Sequence, residues 1–179
     1  MPSRILVYGV TGSGKSTLAG SIARCTGLPY HPVDDLTWEL GWVPVGADEQ
    51  RRRMTSICAG DRWVLDSAYG PWLDVPLRRA DLIVALDYPR WLSLSRLVRR
   101  TFLRALDRRP VCNGNHETFR QLVSHDSILR WHFRSFTHKR AQMHAWELDL
   151  DGPPVVRLTT ARATRTWLAG LAPGEASSG

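Results

Sequence analysis

The feature that most constrains the fold of this chain is a glycine-rich stretch near its N-terminus. Residues 9–17 read Gly-Val-Thr-Gly-Ser-Gly-Lys-Ser-Thr and match the pattern G-x-x-x-x-G-K-[ST]. Its glycines allow a tight turn in which successive backbone N–H groups point at one anion. Lys15 then reaches the β- and γ-phosphates of a nucleotide, and the Ser16 hydroxyl is placed to bind Mg²⁺. The predicted phosphate-binding loop, or P-loop, consists of Gly9, Thr11, Gly12, Ser13, Gly14, Lys15, Ser16 and Thr17.

The sequence on either side of the loop supports this interpretation. Residues 4–8 form an apolar, β-branched run that is typical of a buried strand. After the loop, apolar residues recur at helical spacing and bury one face of a helix. An ordinary glycine turn is the alternative, but the order strand, glycine loop, helix is the context that the motif requires.

Strands and helices alternate along the rest of the chain. Further short strands are predicted at 29–33, 63–65, 81–86 and 155–158. Helices are predicted at 47–59, 89–106, 116–146 and 160–169. Such alternation gives βαβ units with helices on both faces of a parallel sheet. We therefore expect a three-layer α/β/α sandwich with a five-stranded parallel sheet, the fold of the P-loop nucleoside triphosphate hydrolases.

The length of 179 residues is that of one domain, which we expect to extend over residues 1–173. Within it, an irregular and basic segment at about 99–140 is predicted to be a helical lid inserted over the active face. The small and polar residues 174–179 are predicted to form a disordered tail.

Composition limits the location and the partners of the protein. No apolar run has the length of a signal peptide or a membrane span, so a cytoplasmic protein without a membrane partner is expected. Three cysteines, Cys25, Cys58 and Cys112, lack C-x-x-C spacing and indicate neither a disulfide framework nor a zinc site. The net charge is +7, and Lys15 and Lys139 are the only lysines among 24 basic residues. Such a charge suits nucleotides, nucleic acids and anionic surfaces alike.

Three aspartates follow predicted strands, where ligands bind in open α/β sheets. Asp34 is a candidate for binding the phosphoryl acceptor and acting as a base, with a helix cap or a loop carboxylate as the alternative. Asp66 is a candidate for holding Mg²⁺ through water, with a turn residue as the alternative. Asp87 completes a pattern similar to a Walker B motif, but the helix that follows at once favours a turn role.

Arginines are the candidate cations for a transferring phosphoryl group. Arg96 and Arg100 lie four residues apart on one helix face and can contact the same ligand. Within a break at 107–115, Arg109 directly precedes the Pro- and Gly-containing stretch 110–115, and Arg130 follows it. A lid that closes there would exclude water and bring Arg100 and Arg130 to the γ-phosphate. A solvated basic face is the alternative.

Aromatic and imidazole side chains are less informative. Trp38 and Trp42 lie in a predicted polar loop, where they could stack on a planar acceptor or serve as buried anchors. The six histidines show no convincing H-x-x-x-H pair, and surface or core positions are the expected ones.

Two functions are compatible with these residues. The chain contains neither an N-K-x-D element nor an ABC-type signature, which leaves a small-molecule kinase that uses ATP and Mg²⁺ as the leading class. The alternative is a nucleotide-dependent, nucleic-acid-binding regulator with only ATPase activity. No helix-turn-helix or RRM-type motif supports that alternative. A monomer and a homodimer are both compatible with the sequence.

Four stretches together resemble the adenylate-kinase-like P-loop family: the P-loop itself, Asp34-Asp35-Leu36, residues 63–66 and residues 80–90. The element from Cys112 to Glu117 adds a likeness to the small kinases often labelled DNA topology modulation proteins. The resemblance extends to about Leu168 and implies a nucleoside- or shikimate-kinase-like fold. It also implies an ATP-dependent nucleoside-monophosphate or related small-molecule kinase.

The same resemblance implies roles for individual residues. Arg96 and Arg100 match a pair that contacts adenine and phosphates, and Arg162 would pass near adenine. Arg109 is similar to the lid arginine of shikimate-kinase-like enzymes, and Asp34 falls where those enzymes hold the metal and the acceptor hydroxyl. Residues 66–70, Asp-Ser-Ala-Tyr-Gly, depart from the D-G-F-P-R of adenylate kinases. The missing arginine argues against a nucleoside monophosphate as the acceptor.

Overall fold

The computed structural model describes residues 1–41, 43–107 and 128–171, without the side chains of residues 101, 104–107 and 128–132. In this part of the chain the strands are β1 (Arg4–Gly9), β2 (Tyr30–His31), β3 (Trp38–Glu39), β4 (Val43–Pro44), β5 (Trp63–Leu65), β6 (Leu82–Leu86) and β7 (Val155–Leu158). The helices are α1 (Lys15–Thr26), α2 (Val33–Thr37), α3 (Ala47–Ala59), α4 (Asp74–Leu77), α5 (Arg90–Asp107), α6 (Ile128–Leu148) and α7 (Ala161–Ala169), with a 3₁₀ turn at Gly70–Trp72.

Five of these strands form one parallel sheet in the order β2-β5-β1-β6-β7. The central strand β1 is fully buried from Ile5 to Gly9, because sheet neighbours lie on both sides and helices lie on both faces. All five strands point the same way, so their carboxyl ends meet at one edge of the sheet. The P-loop leaves β1 at this edge.

Each face of the sheet has its own apolar core. Alternate residues of β1, starting with Ile5 and Val7, pack with α1 and α7 on one face. The other set, starting with Leu6 and Tyr8, packs with α3 and α6 on the opposite face. This alternation follows from the two-residue period of a strand and produces the three-layer α/β/α architecture.

The predicted fold class is confirmed, and the five predicted strands all lie in the parallel sheet. The helix predicted at 47–59 has these same bounds in the structure. The polar loop predicted around Trp38 and Pro44 is wrong in one respect, because β3 and β4 pair there as a short antiparallel hairpin. Each strand has only two residues, which is too short for a pattern of alternation to be visible.

Two further helices, α2 and α4, were not expected from the sequence. The break predicted at 107–115, the first part of the helix predicted at 116–146, and the tail at 174–179 lie wholly or almost wholly outside the described residues. Among the helices that the structure describes, none combines the length and the apolar character needed to span a bilayer.

Candidate active site

The P-loop connects β1 to α1 and is shaped by two glycines in the left-handed region. Gly12 has a φ of +83° and Gly14, the residue before α1, has a φ of +94°. A Cβ atom on Gly12 would lie 2.3 Å from the backbone oxygen of Ser93 in α5. The loop therefore packs directly against α5, and no side chain fits at that position.

Lys15 is the first residue of α1, and its side chain folds back over the loop. Its Nζ atom donates a hydrogen bond to the backbone oxygen of Val10 at 3.0 Å. The pKa of the Lys15 ammonium is lowered to about 7, mainly by burial and also by repulsion from Lys139 and Arg100, whereas Asp66 and Asp34 act in the opposite direction. An anion placed beside Lys15 would relieve this penalty.

The P-loop fits a nucleotide phosphate on grounds independent of the motif. The hydroxyl of Ser13 is buried and has no hydrogen-bond partner among the described residues. A 12-residue helix begins directly after it, so backbone N–H groups and the positive end of the helix dipole face the loop. A phosphate group accepts hydrogen bonds, and three kinds of donor face it here. They are the Ser13 hydroxyl, the backbone N–H groups at the start of α1 and the Lys15 ammonium.

Asp66, directly after β5, is buried and bound on both carboxylate oxygens. Tyr30 donates its hydroxyl to Oδ2 at 2.8 Å, and the backbone N–H of Val33 donates to Oδ1 at 2.9 Å. Asp66 thereby fixes the start of α2. Desolvation together with Asp66 raises the pKa of Tyr30, and the side chain of Ser16 acts in the opposite direction. Tyr30 thus interacts with both predicted metal-binding residues.

Asp34 lies in the first turn of α2 and is exposed. Tyr69 donates its hydroxyl to Asp34 Oδ1 at 2.8 Å. Desolvation and the Asp34 carboxylate raise the pKa of Tyr69 well above its usual range, so Tyr69 remains a hydrogen-bond donor at neutral pH. Asp34 also interacts electrostatically with Lys15, so the predicted acceptor carboxylate and the predicted phosphate-binding lysine influence each other.

Lys139 on α6 is a site residue that the motifs did not indicate. It is buried, and its Nζ atom lies 5.3 Å from the ring centroid of Tyr8. Burial lowers the pKa of Lys139, and Asp34 partly offsets this shift. The ammonium groups of the two lysines of the chain thus interact electrostatically with each other. The only sequence signal was composition, since lysine is rare in this arginine-rich chain.

Asp87, directly after β6, lies in a cluster of cations. Its carboxylate is almost fully buried and accepts from Arg140 at 3.0 Å and from Arg157 at 3.2 Å, with His144 Nε2 at 3.0 Å. These partners come from α6 and β7. The arrangement shows Asp87 joining three elements at the carboxyl edge of the sheet, in agreement with a structural role after β6.

The arginines predicted for the site differ in what surrounds them. Arg96 donates to the backbone oxygen of Ser13 at 3.3 Å, and its guanidinium lies 4.9 Å from the ring centroid of Tyr88. It therefore braces the P-loop from α5. Arg100, one turn further on, is half-buried and interacts electrostatically with Lys15.

The remaining predicted site residues lie at the periphery of the candidate site or outside the described residues. Arg162 is exposed in the first turn of α7. Arg109 lies outside the described residues, and of Arg130 only the backbone in α6 is described. Trp38 is half-buried in β3, whereas Trp42 lies outside the described residues. The described residues contain no group of three His, Cys, Asp or Glu side chains that could hold a metal ion without other ligands.

Together these contacts define two halves of one site at the carboxyl edge of the sheet. The donor half consists of the P-loop, Lys15 and Ser16, and the acceptor half consists of Asp34, Tyr69 and Lys139. The electrostatic interactions of Lys15 with Asp34 and Lys139 connect the two halves. This arrangement can bind a polyphosphate on one side and a polar molecule on the other.

Comparison with known proteins shows likeness in structure. Neither the protein-family models nor the curated proteins contain a match to the chain. A gluconokinase from Sinorhizobium meliloti 1021 is 21% identical, with a TM-score of 0.54 over 95% of this chain and 91% of that chain. A shikimate kinase from Acinetobacter baumannii, solved in complex with shikimate, is 17% identical, with a TM-score of 0.58 over 94% of this chain and 90% of that chain.

A deoxyadenosine kinase from M. mycoides, solved with bound dCTP, is 12% identical, with a TM-score of 0.51 over 93% of this chain and 96% of that chain. At these identities the likeness concerns the fold, which is that of the P-loop kinases. The chain spans nearly the full length of each of these structures.

Proposed function

We propose that this protein is a kinase that transfers the γ-phosphoryl group of ATP to a hydroxyl group of a small molecule. One observation carries the proposal: on a fold shared with P-loop kinases, the phosphate-binding Lys15 interacts electrostatically with both carboxylates that follow neighbouring strands, Asp34 and Asp66. A phosphate cradle beside carboxylates that can orient a hydroxyl is what phosphoryl transfer needs.

In the proposed reaction, the acceptor oxygen forms a bond to the γ-phosphorus while the bond from that phosphorus to the β–γ bridging oxygen breaks. ADP leaves with this oxygen, and the acceptor proton passes to Asp34. Lys15 and the backbone N–H groups of the P-loop stabilise the charge on the β- and γ-phosphates. Tyr69 orients Asp34 through its 2.8 Å hydrogen bond.

Magnesium bound with the nucleotide would supply further neutralisation of the phosphate charge. Ser16 would bind it directly, and Asp66 would hold it through water. Tyr30 supports this assignment because its hydroxyl donates to Asp66 and its pKa is also influenced by Ser16.

The arginines complete the proposed site. Arg100 contacts the transferring group from α5, and Arg109 and Arg130 are assigned to a lid that closes over it. Arg96 and Arg162 are assigned to the adenine side. The contacts of Arg96 with Ser13 and Tyr88 support its part in this proposal, because they hold its guanidinium beside the P-loop.

The test is ADP release from MgATP by the purified protein in the presence of nucleosides, nucleoside monophosphates and sugar acids. We expect at least one acceptor to stimulate release. Lys15→Ala should reduce that activity by at least about 100-fold because it removes the cation from the β- and γ-phosphates. Its circular dichroism spectrum should be unchanged, since the ammonium forms no carboxylate ion pair with the described residues.

Arg62→Met is the matched control. Arg62 is exposed at the amino end of β5, away from the P-loop edge, and among the described residues it donates only to the backbone oxygen of Gly27. It should retain full activity. Full activity in Lys15→Ala would refute the proposal. ATP hydrolysis that DNA stimulates and no small acceptor does would favour the nucleic-acid-binding alternative.

A further inference from the structure

The acceptor half contains a buried cation with no evident anion. Lys139 is only 8% exposed, and its ammonium lies over the ring of Tyr8 at 5.3 Å from the centroid. Within the described residues, no carboxylate lies within ion-pairing distance of Lys139 and no acceptor hydrogen-bonds its ammonium. Asp34 acts on it only at longer range.

A charge in this position is costly. Removing an ammonium from water without pairing it is unfavourable, and a contact with an aromatic face offsets only part of that cost. Lys15 adds repulsion, because the two ammonium groups interact electrostatically. Two cations that repel each other in this way, one half-buried and one buried, favour the binding of an anion in the space near them.

Lys139 approaches this space from the face opposite to α1. The ring of Tyr8 that supports it belongs to the core formed with α3 and α6, whereas the P-loop continues into α1 on the other face. Lys139 also interacts with Asp34, the carboxylate of the acceptor half. Since the proposed function assigns Lys15 to the phosphates of the nucleotide, Lys139 is available to bind an anionic group of the acceptor.

The helix that carries Lys139 is fixed by the residues that follow it on α6. Tyr8 donates its hydroxyl to Oε1 of Gln142 at 2.7 Å, and Arg140 pairs with Asp87 at 3.0 Å. The edge of Trp146 packs on Tyr8 with ring centroids 4.7 Å apart. The ammonium is thus held in place before any ligand binds, which reduces the entropy lost on binding.

We propose that Lys139 binds an acidic group of the phosphoryl acceptor, so that the acceptor is a small molecule with both a free hydroxyl and a carboxylate or phosphate group. This inference rests on the proposed kinase function. Asp34 and Lys139 then recognise two different groups of one molecule: Asp34 orients the hydroxyl, and Lys139 binds the acid.

The kinetic test uses pairs of acceptors that differ in the acidic group. Shikimate and its methyl ester, gluconate and glucitol, and a nucleoside monophosphate and its nucleoside are compared for ADP release. We expect an acid in at least one pair to be preferred at least about tenfold in kcat/KM, as for a hydrogen bond to a charged group. Lys139→Met should remove that preference by raising the KM for the acid, while the KM for ATP stays within about twofold.

Two further variants separate charge from packing. Lys139→Arg keeps the positive charge and should retain a preference for the acid, and Arg62→Met removes one surface charge at the opposite edge of the sheet and should change nothing. Loss of the preference in Arg62→Met would overturn the inference, because the effect would then arise from net charge. An unchanged preference in Lys139→Met would overturn it as well.

A binding experiment keeps the inference testable even if Lys139→Met fails to fold. Since the chain has two lysines, selective ¹³C-lysine labelling of the wild-type protein gives two Hε–Cε signals, which Lys139→Arg assigns. MgADP should shift the Lys15 signal most, and the acidic acceptors should then shift the Lys139 signal whereas their neutral partners do not.

The outcomes distinguish the two proposals. If MgADP shifts neither signal and no acceptor stimulates ADP release, the proposed function fails. If MgADP shifts Lys15 but a neutral acceptor is phosphorylated as well as its acid, the function stands and the inference is overturned. A Lys139 signal that responds to MgADP and to no acid would also overturn it, because Lys139 would then belong to the donor half.

Discussion

The donor and acceptor halves of the candidate site are built in different ways. The donor half comes from nine consecutive residues, and its shape depends on backbone conformation, with Gly12 and Gly14 in the left-handed region. The acceptor half comes from Asp34, Tyr69 and Lys139, which lie far apart in the sequence and act through their side chains. The former is sensitive to added volume, and the latter to the loss of a single polar group.

This difference indicates how the specificity for the nucleotide and for the acceptor can change through substitutions. A backbone cradle binds the phosphates that every nucleoside triphosphate shares, and few substitutions keep it intact. Side chains from separate helices and loops can change one at a time, because each is held by its own element. In the proposed kinase, the donor half is therefore general, and the acceptor half determines specificity.

The largest loss of stability is expected from a substitution of Gly12, which tests whether the donor half depends on its backbone shape. Gly12→Ala places a Cβ atom 2.3 Å from Ser93 O at a φ of +83°, and should lower the free energy of unfolding by about 3–5 kcal/mol. Gly27→Ala is the matched control, since Gly27 has a φ of +67° with nothing within 4 Å of a Cβ, and should cost about 1 kcal/mol. Urea unfolding measures both. Equal losses would show that the contact with α5 does not matter.

On the acceptor side, Asp34→Asn should lower kcat by about 100-fold or more, because an amide cannot accept the proton of the acceptor hydroxyl. The free energy of unfolding should change little, since the amide oxygen can still accept the hydrogen bond from Tyr69. Steady-state kinetics and thermal unfolding check the two statements.

Tyr69→Phe leaves the carboxylate of Asp34 in place and should lower kcat less, by about fivefold, as for one lost orienting hydrogen bond. A larger loss in Tyr69→Phe would contradict the assigned roles.

Asp87 tests whether the acceptor half depends on the anchoring of α6. Asp87→Asn removes the buried negative charge that Arg140 and Arg157 share, and should lower the free energy of unfolding by about 2–4 kcal/mol. It should also raise the KM for the acceptor more than the KM for ATP. Asp74→Asn is the control, because its ion pair with Arg51 is exposed and should contribute at most about 1 kcal/mol. Chemical denaturation compares the two variants, and similar losses would count against the anchoring role.

The smallest effect concerns the pH dependence of nucleotide binding. The free Lys15 ammonium has a pKa of about 7, and bound phosphates favour its protonated form, so the affinity for MgADP should fall as the pH rises from 7 to 9. The fall is at most about tenfold per pH unit for one proton. Calorimetric titration at several pH values measures it. Lys15→Arg, which stays charged over this range, should show no such fall from this position.

The lowered pKa of Lys15 also affects the free energy of unfolding, which should rise with pH whereas the affinity for MgADP falls. The pKa of Lys15 is lower in the folded protein than the ordinary 10.5, so the unfolded chain binds more protons between about pH 7 and 10.5. The contribution of this residue to the free energy of unfolding therefore increases as the pH rises through that range. The Lys15→Arg variant should lack this increase.

Much of this fold could be predicted from local patterns. Short local patterns marked the five strands, most clearly the apolar runs of β1 and β6, and the P-loop motif located the donor half, because both depend on neighbours in the sequence. The parallel sheet then brought Asp34 and Asp66 towards Lys15, as expected for residues that follow strands.

The rest depended on contacts between distant residues. Tyr69 lies in a turn with no periodicity, and its role follows only from the position of Asp34, 35 residues earlier. Asp87 matched a metal-binding pattern, yet its cations arrive from α6 and β7, more than 50 residues later. Lys139 could be noticed in the composition, but its place beside Lys15 required the packing of α6 on β1. Which acceptor contacts these residues depends on shape, which no local pattern encodes.

Strand β1 has one more consequence. Its backbone at Gly9 opens the P-loop, and the side chain of the preceding residue, Tyr8, supports Lys139 and bonds α6. Adjacent Cα atoms lie about 3.8 Å apart, so one peptide unit separates the position that opens the P-loop from the position that supports Lys139. In the proposed kinase, residues on α6 could therefore be exchanged for a new acceptor while β1 and the P-loop stay unchanged.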